Sequence, residues 1–142
     1  NEGEDPLKVP IRVDDDGVGG GVVDQLEGWN VQPVSAASTA IEEEDYPNRR
    51  SELWFASAAR ANEGRIDVSR LGADSLRILR PQLMSPRWRM DSSGRRVVEP
   101  KDETKKRLRK NNPDLAGGSP DDADAMNLLF APEKARTTWD VW

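Results

Sequence analysis

The chain has 142 residues, enough for one domain and too few for two of ordinary size. Because it contains no cysteine and no histidine, disulfides, thiolate nucleophiles, Cys/His zinc sites and imidazole bases are excluded. A net charge of −5, with 35% hydrophobic and 33% charged residues, predicts a thin core and argues against a uniformly basic nucleic-acid binder.

The first third of the chain predicts a strand–helix–strand unit behind a disordered lead-in over residues 1–7. Residues 8–14 are apolar and β-branched and end at a turn, as a short buried strand does. A helix is predicted over 21–27 and a second strand over 30–36. This spacing is typical of a βαβ unit with parallel strands.

The rest of the chain predicts mainly helices, with one added hairpin. The helices are expected at 49–62, 74–84, 103–110 and from Pro120 to about residue 131. Asn48 and Ser119 are predicted as the N-caps of the first and last of these helices. Residues 66–69 are a candidate short strand, and 85–102 predict a β-hairpin. One domain over 8–131 and a tail over 132–142 complete the expected organisation.

No stretch of the sequence reaches the roughly 20 apolar residues of a membrane span. The residues at the start of the chain also lack the basic and apolar parts of a signal peptide. We therefore expect a cytoplasmic protein with no membrane partner.

Acidic residues cluster at two places. Asp14, Asp15 and Asp16 lie at the end of the first predicted strand, and three adjacent carboxylates repel one another unless a cation lies near them. Asp121 and Asp124 lie three residues apart, so they share one face of the first turn of the last helix. Such acids also simply complement a helix dipole, which is the alternative interpretation.

A strand end and a helix N-terminus can meet at one edge of an open α/β sheet, where such sheets place their sites. Because nitrogen and sulfur ligands are lacking, the two clusters favour a hard cation, Mg²⁺ or Mn²⁺. Two ions of this kind can activate water and stabilise the leaving oxygen in phosphodiester hydrolysis without a histidine base.

Positive charge is concentrated in one segment, residues 87–110, although the chain is acidic as a whole. A local basic surface beside acidic clusters suits an enzyme that holds a polyanion against a cation. A solvated charged face is the equally weighted alternative.

Four segments in order resemble the nuclease domain of bacteriophage terminase large subunits. These segments are 11–26, 46–54, 99–108 and 119–125. The resemblance implies a partial RNase H-like fold of the RuvC/integrase type, a short and mainly parallel sheet with flanking helices and an added β-hairpin. It also implies Mg²⁺- or Mn²⁺-dependent cleavage of double-stranded DNA during genome packaging in the host cytoplasm.

The resemblance carries over site residues one by one. The strand-end acid corresponds to Asp14, with Asp15 as the nearest alternative ligand, and the helix acids correspond to Asp121 and Asp124. Lys101 falls in the lysine-rich segment of the family and is expected to contact a phosphate, an ordinary surface lysine being the alternative. The expected DNA-binding residues are Lys101, Lys105, Lys106 and Arg107.

Two parts of the family pattern have no counterpart in this sequence: the first acidic strand and the ATPase motor with its phosphate-binding loop. We therefore expect a fragment, a split gene product or a remnant that is weakly active or inactive by itself. Self-association is expected through the free edge of the first strand at Val9, Ile11 and Val13. An upstream terminase polypeptide, the portal or the small terminase are the other expected partners.

Two further classes of function stay open at this point. One is a non-catalytic module that binds DNA or packaging proteins through the basic hairpin and the tail. The other is a regulatory acidic domain unrelated to terminases.

Overall fold

The computed structural model describes residues 8–16, 19–26, 28–113 and 118–133. The predicted lead-in over 1–7 and most of the predicted tail over 132–142 lie outside the described residues. Along the described part of the chain the elements are β1 (Ile11–Asp14), α1 (Gly19–Gln25), β2 (Val31–Val34), α2 (Arg49–Asn62), α3 (Ala73–Met84), β3 (Trp88–Met90), β4 (Arg96–Val98), α4 (Lys101–Asn111) and α5 (Asp121–Leu129).

The predicted βαβ unit is confirmed. Strands β1 and β2 pair in parallel, with Ile11 opposite Val31 and Asp14 opposite Val34, and α1 connects them. Helix α1 begins two residues earlier than predicted, at Gly19. The turn that leads into β2 contains Gly28 at φ +89°, a backbone conformation that favours glycine.

The small core lies between this sheet, α2 and α5. Leu53 of α2 and Leu128 of α5 are buried together with Ala131, and Val34 and Ala36 pack against them. Because apolar burial contributes about 25 cal/mol per Å², this contact stabilises the position of α5 on the sheet.

A chain of hydrogen bonds joins the N-terminus of α2 to the hairpin formed by β3 and β4. Asn48 is the N-cap, as predicted, and its Oδ1 accepts from the Ser51 amide at 2.9 Å. The fully buried Ser51 hydroxyl donates to the same oxygen and accepts from the Val98 amide at 3.0 Å. The predicted hairpin is confirmed as an antiparallel pair with Trp88 opposite Val98.

Glu52 is a buried acid on α2, with 1% of its side chain exposed. Its carboxylate accepts from the amides of Ile41 at 3.0 Å and Glu42 at 2.9 Å, and it pairs with Arg49. Burial alone would raise its pKa, but these backbone and arginine hydrogen bonds lower it below the ordinary value. Arg49 also donates to the Pro132 carbonyl, so Glu52 and Arg49 together anchor two loops to α2.

The strand predicted over 66–69 is wrong. These described residues contain no strand, and all of them but Ile66 are exposed. The Asp67 carboxylate accepts from the Ser69 amide at 2.8 Å, which closes a local turn in place of a sheet ladder.

The capping predicted for the last helix is also wrong. Pro120 occupies the N-cap position of α5, and the Ser119 hydroxyl donates instead to Asp121 Oδ1 at 2.7 Å. The first turn is held from α3, where buried Gln82 accepts from the Ala123 amide at 3.0 Å and donates to Asp122 at 2.8 Å. Gln82 thus fixes the N-terminus of α5 over the sheet.

None of the helices in the described ranges is both long enough and apolar enough to cross a membrane.

Candidate metal and nucleic-acid site

A cleft of about 670 Å³ opens beside the carboxyl ends of β1 and β2. Its wall is formed by residues of β1, α2, α4 and α5 and of the turn after β2. This is the end of a parallel sheet at which open α/β folds place binding sites. The charged and amide side chains of the wall belong to Arg12, Asp14, Asp16, Arg50, Lys101, Asp121, Asp124 and Asn127.

The three consecutive acids at the end of β1, residues 14–16, do not all line the cleft. Asp14 and Asp16 line the cleft, whereas Asp15, the alternative ligand, is exposed and lies outside the wall. Asp14 Oδ1 accepts from the Asp16 amide at 3.1 Å, and Asp16 accepts from the Ser35 hydroxyl and the Ala37 amide. These bonds fold the run back against the end of β2 and keep Asp14 at the rim.

Arg12 joins β1 to the C-terminal end of α5. Its guanidinium donates to the carbonyls of Leu128 at 3.2 Å and Leu129 at 2.7 Å, and to Gln32 on the neighbouring strand. Because a cation at a helix C-terminus interacts favourably with the last carbonyls of the helix, the contact stabilises α5. The N-terminal acids of α5, Asp121 and Asp124, line the same cleft as Asp14.

Asp121 and Asp124 converge on one cationic group, the ammonium of Lys101. The Lys101 Nζ lies 2.8 Å from Asp121 Oδ1 and 2.8 Å from Asp124 Oδ2. Burial works against the charge of Lys101, but its bonds to the two carboxylates raise its pKa. The Lys101 hydrogen bond, followed by the Ser119 bond, lowers the pKa of Asp121.

A second cation reaches Asp124 from α2. Arg50 Nη1 lies 3.0 Å from Asp124 Oδ1, so both oxygens of this carboxylate are bound by cations of different helices. The guanidinium carbon of Arg50 lies 5.8 Å from the centre of the Trp54 ring. Sequence reasoning missed Arg50, Trp54 and the buried Asn127, because nothing in the local pattern of a helix shows which cleft a residue will line.

The side chains of the cleft fit a divalent ion in part. Among the described residues no group of three or more His, Cys, Asp or Glu is placed to hold a metal ion, and Asp14 lies apart from the other acids. Asp121 and Asp124, however, already place one oxygen each on a single cation, the Lys101 ammonium. Two carboxylates with this convergence suit a hard cation in the same position.

The other predicted DNA-binding residues lie on α4 and differ in how they are held. The Nζ of Lys105 is 3.8 Å from Asp102 and that of Lys106 is 2.6 Å from Glu103, in pairs along the helix. Arg107 pairs with Glu99 and donates to the Ser85 carbonyl, so it joins α4 to the hairpin. This Arg107 hydrogen bond lowers the pKa of Glu99.

No protein-family model matches the sequence, and no curated protein matches it by sequence. Solved structures do match. The nuclease domain of the large terminase subunit gp2 of bacterial virus Sf6 aligns with a TM-score of 0.63 at 19% identity, over 89% of this chain and 66% of that domain. A lysine-to-alanine variant of that domain, solved with manganese and beta-thujaplicinol, aligns with a TM-score of 0.64 at 18% identity over the same shares.

A third structure of the same terminase, a variant with calcium, aligns with a TM-score of 0.56 at 17% identity, over 84% of this chain and 64% of that one. These likenesses establish the fold: the chain has the α/β architecture of the terminase nuclease, a short parallel sheet with flanking helices. The resemblance noted in the sequence is confirmed at this level. The chain spans about two thirds of the length of the domains it matches.

Proposed function

We propose that this chain is part of a metal-dependent endonuclease that cleaves double-stranded DNA during viral genome packaging. The main support for the proposal is that four charged side chains line one cleft at the carboxyl end of the sheet: Asp14, Lys101, Asp121 and Asp124. The likeness of the fold to the terminase nuclease supports the same assignment. DNA and other packaging proteins are the partners that this proposal implies.

In this proposal Asp121 and Asp124 hold Mg²⁺ or Mn²⁺, and Asp14 is the third acid that lines the same cleft. A bound ion of this kind supplies an activated water and charge stabilisation for the leaving oxygen. Lys101 has to leave the two carboxylates when an ion binds, because the ammonium and the ion compete for the same oxygens. The released Lys101 is then free to contact a DNA phosphate.

The same contacts imply weak activity in the isolated chain. An incoming ion has to displace Lys101 and Arg50 from Asp124, and Asp14 does not join the pair. Both features oppose metal binding. We therefore expect cleavage that is slow and that requires millimolar rather than micromolar Mn²⁺.

Lys105 and Lys106 complete the proposed DNA contact next to Lys101. Lys106 is 70% exposed, and solvent screens its ion pair with Glu103. Because such a pair contributes little free energy, a DNA phosphate can replace the carboxylate easily. Arg107 is 20% exposed and bound to Glu99, so its share in DNA binding is expected to be smaller.

A non-catalytic DNA-binding module is the alternative. The separation of Asp14 from the other two acids favours it, because a nuclease site needs these ligands on shared ions. The two functions differ in whether Mn²⁺ binds.

Manganese binding to the whole chain tests the proposal. Electron paramagnetic resonance of free Mn²⁺ should show binding that Asp121→Asn weakens by at least tenfold. Asp102→Asn is the matched control, since Asp102 is 84% exposed on α4 and its loss changes the net charge equally. Plasmid nicking should also be weakened by Asp121→Asn and left unchanged by Asp102→Asn. An Asp121→Asn variant that binds Mn²⁺ as tightly as the Asp102→Asn variant would overturn the proposal.

A further inference from the structure

The hairpin formed by β3 and β4 has one covered edge and one free edge within the described part of the chain. The outer edge of β4 is covered, because the Val98 amide donates to the Ser51 hydroxyl at 3.0 Å and the Arg96 amide to the Asp45 carbonyl at 2.9 Å. Strand β3 pairs with β4 alone among the described strands. The outer edge of β3 is therefore open to a partner.

The backbone bonds of the hairpin determine which groups this free edge presents. The Glu99 amide donates to the Arg87 carbonyl at 2.9 Å, directly before β3. Because residues of an antiparallel strand alternate between bonding to the partner strand and pointing away from it, the backbone groups of Trp88 and Met90 point away from β4. The free edge therefore offers two N–H donors.

The two side chains on one face of β3 are large, apolar and exposed. Trp88 and Met90 lie two residues apart, so they share a face of the strand, and they are 58% and 53% exposed. The Trp88 ring contacts Phe55 of α2 edge to face, with 5.4 Å between the ring centres. A tryptophan side chain is thus held in a fixed position while more than half of it stays open to solvent.

The opposite face of the same strand carries positive charge that is not neutralised. Arg87 and Arg89 are exposed, and neither guanidinium has an ion-pair partner among the described residues. The other two arginines of the hairpin, Arg95 and Arg96, are each paired with an aspartate. The uncompensated charge favours an anionic partner.

The arrangement of these groups fits a single strand of nucleic acid. Such a strand carries planar bases on one side and phosphates on the other, and proteins bind it by base stacking on aromatic rings beside cationic groups. A strand along the free edge of β3 can stack a base on Trp88 on one face and place phosphates next to Arg87 and Arg89 on the other. The outward N–H groups add donors for phosphate oxygens.

Two other partners match these features less well. A DNA duplex turns its bases inward, so it offers phosphates but no free base for Trp88 to stack on. A second copy of β3 would bring the exposed arginines of both strands together, and like charges at facing strand positions are destabilising.

We propose that the free edge of β3 binds single-stranded DNA, with Trp88 stacked on a base and Arg87 and Arg89 in contact with phosphates. The surface goes beyond the proposed function, because the hairpin contributes no residue to the wall of the cleft and needs no divalent ion. Lys101 of the cleft follows Val98, the partner of Trp88, by three residues, which span at most about 11 Å. The surface therefore lies close enough to hold an unpaired DNA end beside the cleft.

Fluorescence anisotropy of a labelled single strand of about 12 nucleotides, with the whole chain in EDTA, tests the proposal. Trp88→Ala should weaken single-strand binding on the order of tenfold and leave the binding of a duplex of the same sequence unchanged. Arg87→Met combined with Arg89→Met should lower the slope of log Kd against log salt by about 1.4, the value for two phosphates of a single strand.

Matched controls come from other exposed side chains of the same types. Trp29→Ala removes a tryptophan that is 50% exposed before β2 and should leave single-strand binding unchanged. Arg65→Met combined with Arg70→Met removes two exposed charges beyond the C-terminal end of α2, whereas the hairpin contacts the N-terminal end at Ser51. This pair should leave the salt slope unchanged. Trp88→Leu keeps an apolar side chain without an aromatic ring and serves if Trp88→Ala does not fold.

Several results would overturn the proposal. One is single-strand binding that Trp88→Ala does not weaken, or that it weakens no more than duplex binding. Competition by poly-glutamate as strong as that of the oligonucleotide would assign the surface to an acidic peptide, and a dimer that Trp88→Ala dissociates would assign it to a second copy. Because no divalent ion is present, failure here leaves the proposed metal site standing, and a chain that binds no Mn²⁺ leaves this surface standing.

Discussion

Replacing Glu52 by Gln should destabilise the fold far more than replacing an exposed acid. The Glu52 carboxylate accepts from the amides of Ile41 and Glu42 and from Arg49, with 1% of the side chain exposed. Glutamine is similar in shape, but its amide nitrogen cannot accept. One buried donor therefore loses its acceptor, and the charge of Arg49 loses its counter-ion.

Two contributions set the size of this effect. A buried donor left unpaired costs about 1–3 kcal/mol. Breaking a buried ion pair by removal of one partner costs about 3–5 kcal/mol. Because the two overlap at Glu52, we expect a loss of about 3 kcal/mol in the free energy of unfolding. Urea unfolding followed by circular dichroism, at unchanged m-value, measures it.

Glu63→Gln is the control, because Glu63 pairs with Arg65 at 3.2 Å and both side chains are more than half exposed. Such a pair contributes about 0–1 kcal/mol. The role assigned to the buried carboxylate would be refuted if the free energies of unfolding of Glu52→Gln and Glu63→Gln differed by less than about 1 kcal/mol. That value is the lower end of the cost of an unpaired buried donor.

The same carboxylate predicts a pH dependence. The folded pKa of Glu52 lies below its ordinary value of 4.5, so its stabilisation is present above pH 4.5 and is lost as the pH falls through the folded pKa. The stability difference between the unsubstituted chain and Glu52→Gln should therefore be constant near neutral pH and shrink in acid. A difference that does not change between neutral and acid pH would contradict this.

Three further predictions concern the scaffold. Leu108 is fully buried on α4, so Leu108→Ala should cost about 3 kcal/mol in urea unfolding, whereas a loss below about 1 kcal/mol would mean that the site is poorly packed. Asn48→Ala removes the cap of α2 and should cost about 1 kcal/mol, with faster amide exchange at Ser51; unchanged exchange there would contradict the cap. The outer edge of β1 carries no partner strand among the described residues, so light scattering should show self-association at high concentration that Ile11→Lys reduces, and a monomer at all concentrations would count against it.

Elements that depend on interactions between residues close in the sequence were predicted correctly. The strand that ends at Asp14, the Asn48 cap and the hairpin turn at Gly94, where φ is +79°, each depend on neighbours within a few residues. The predicted strand over 66–69 failed because an apolar, β-branched pair makes a strand only when a partner lies beside it. In the described structure none does, and Asp67 closes a turn there.

The cleft could be predicted only in its acids and in Lys101. Asp14, Asp121 and Asp124 stood out because carboxylates cluster in the sequence, and all three line the cleft. Arg50 and Asn127 could not be found in this way. Arg50 binds Asp124, which is 74 residues away in the sequence, and the buried amide of Asn127 has no hydrogen-bond partner among the described residues. The hold of Gln82 on α5 is equally non-local, spanning 41 residues to the Ala123 amide.

The bonds from Arg12 to the carbonyls of Leu128 and Leu129 also bear on the order in which the protein folds. They join residues 116 and 117 positions apart, and closing a loop of that length costs about 4 kcal/mol of chain entropy. Long-range contacts of this kind slow folding, and they cannot form on the ribosome until α5 has been synthesised. The cleft that Asp14, Asp121 and Asp124 line therefore forms late. A nascent chain carries two separate acidic segments, and they come to line one cleft only when the fold closes.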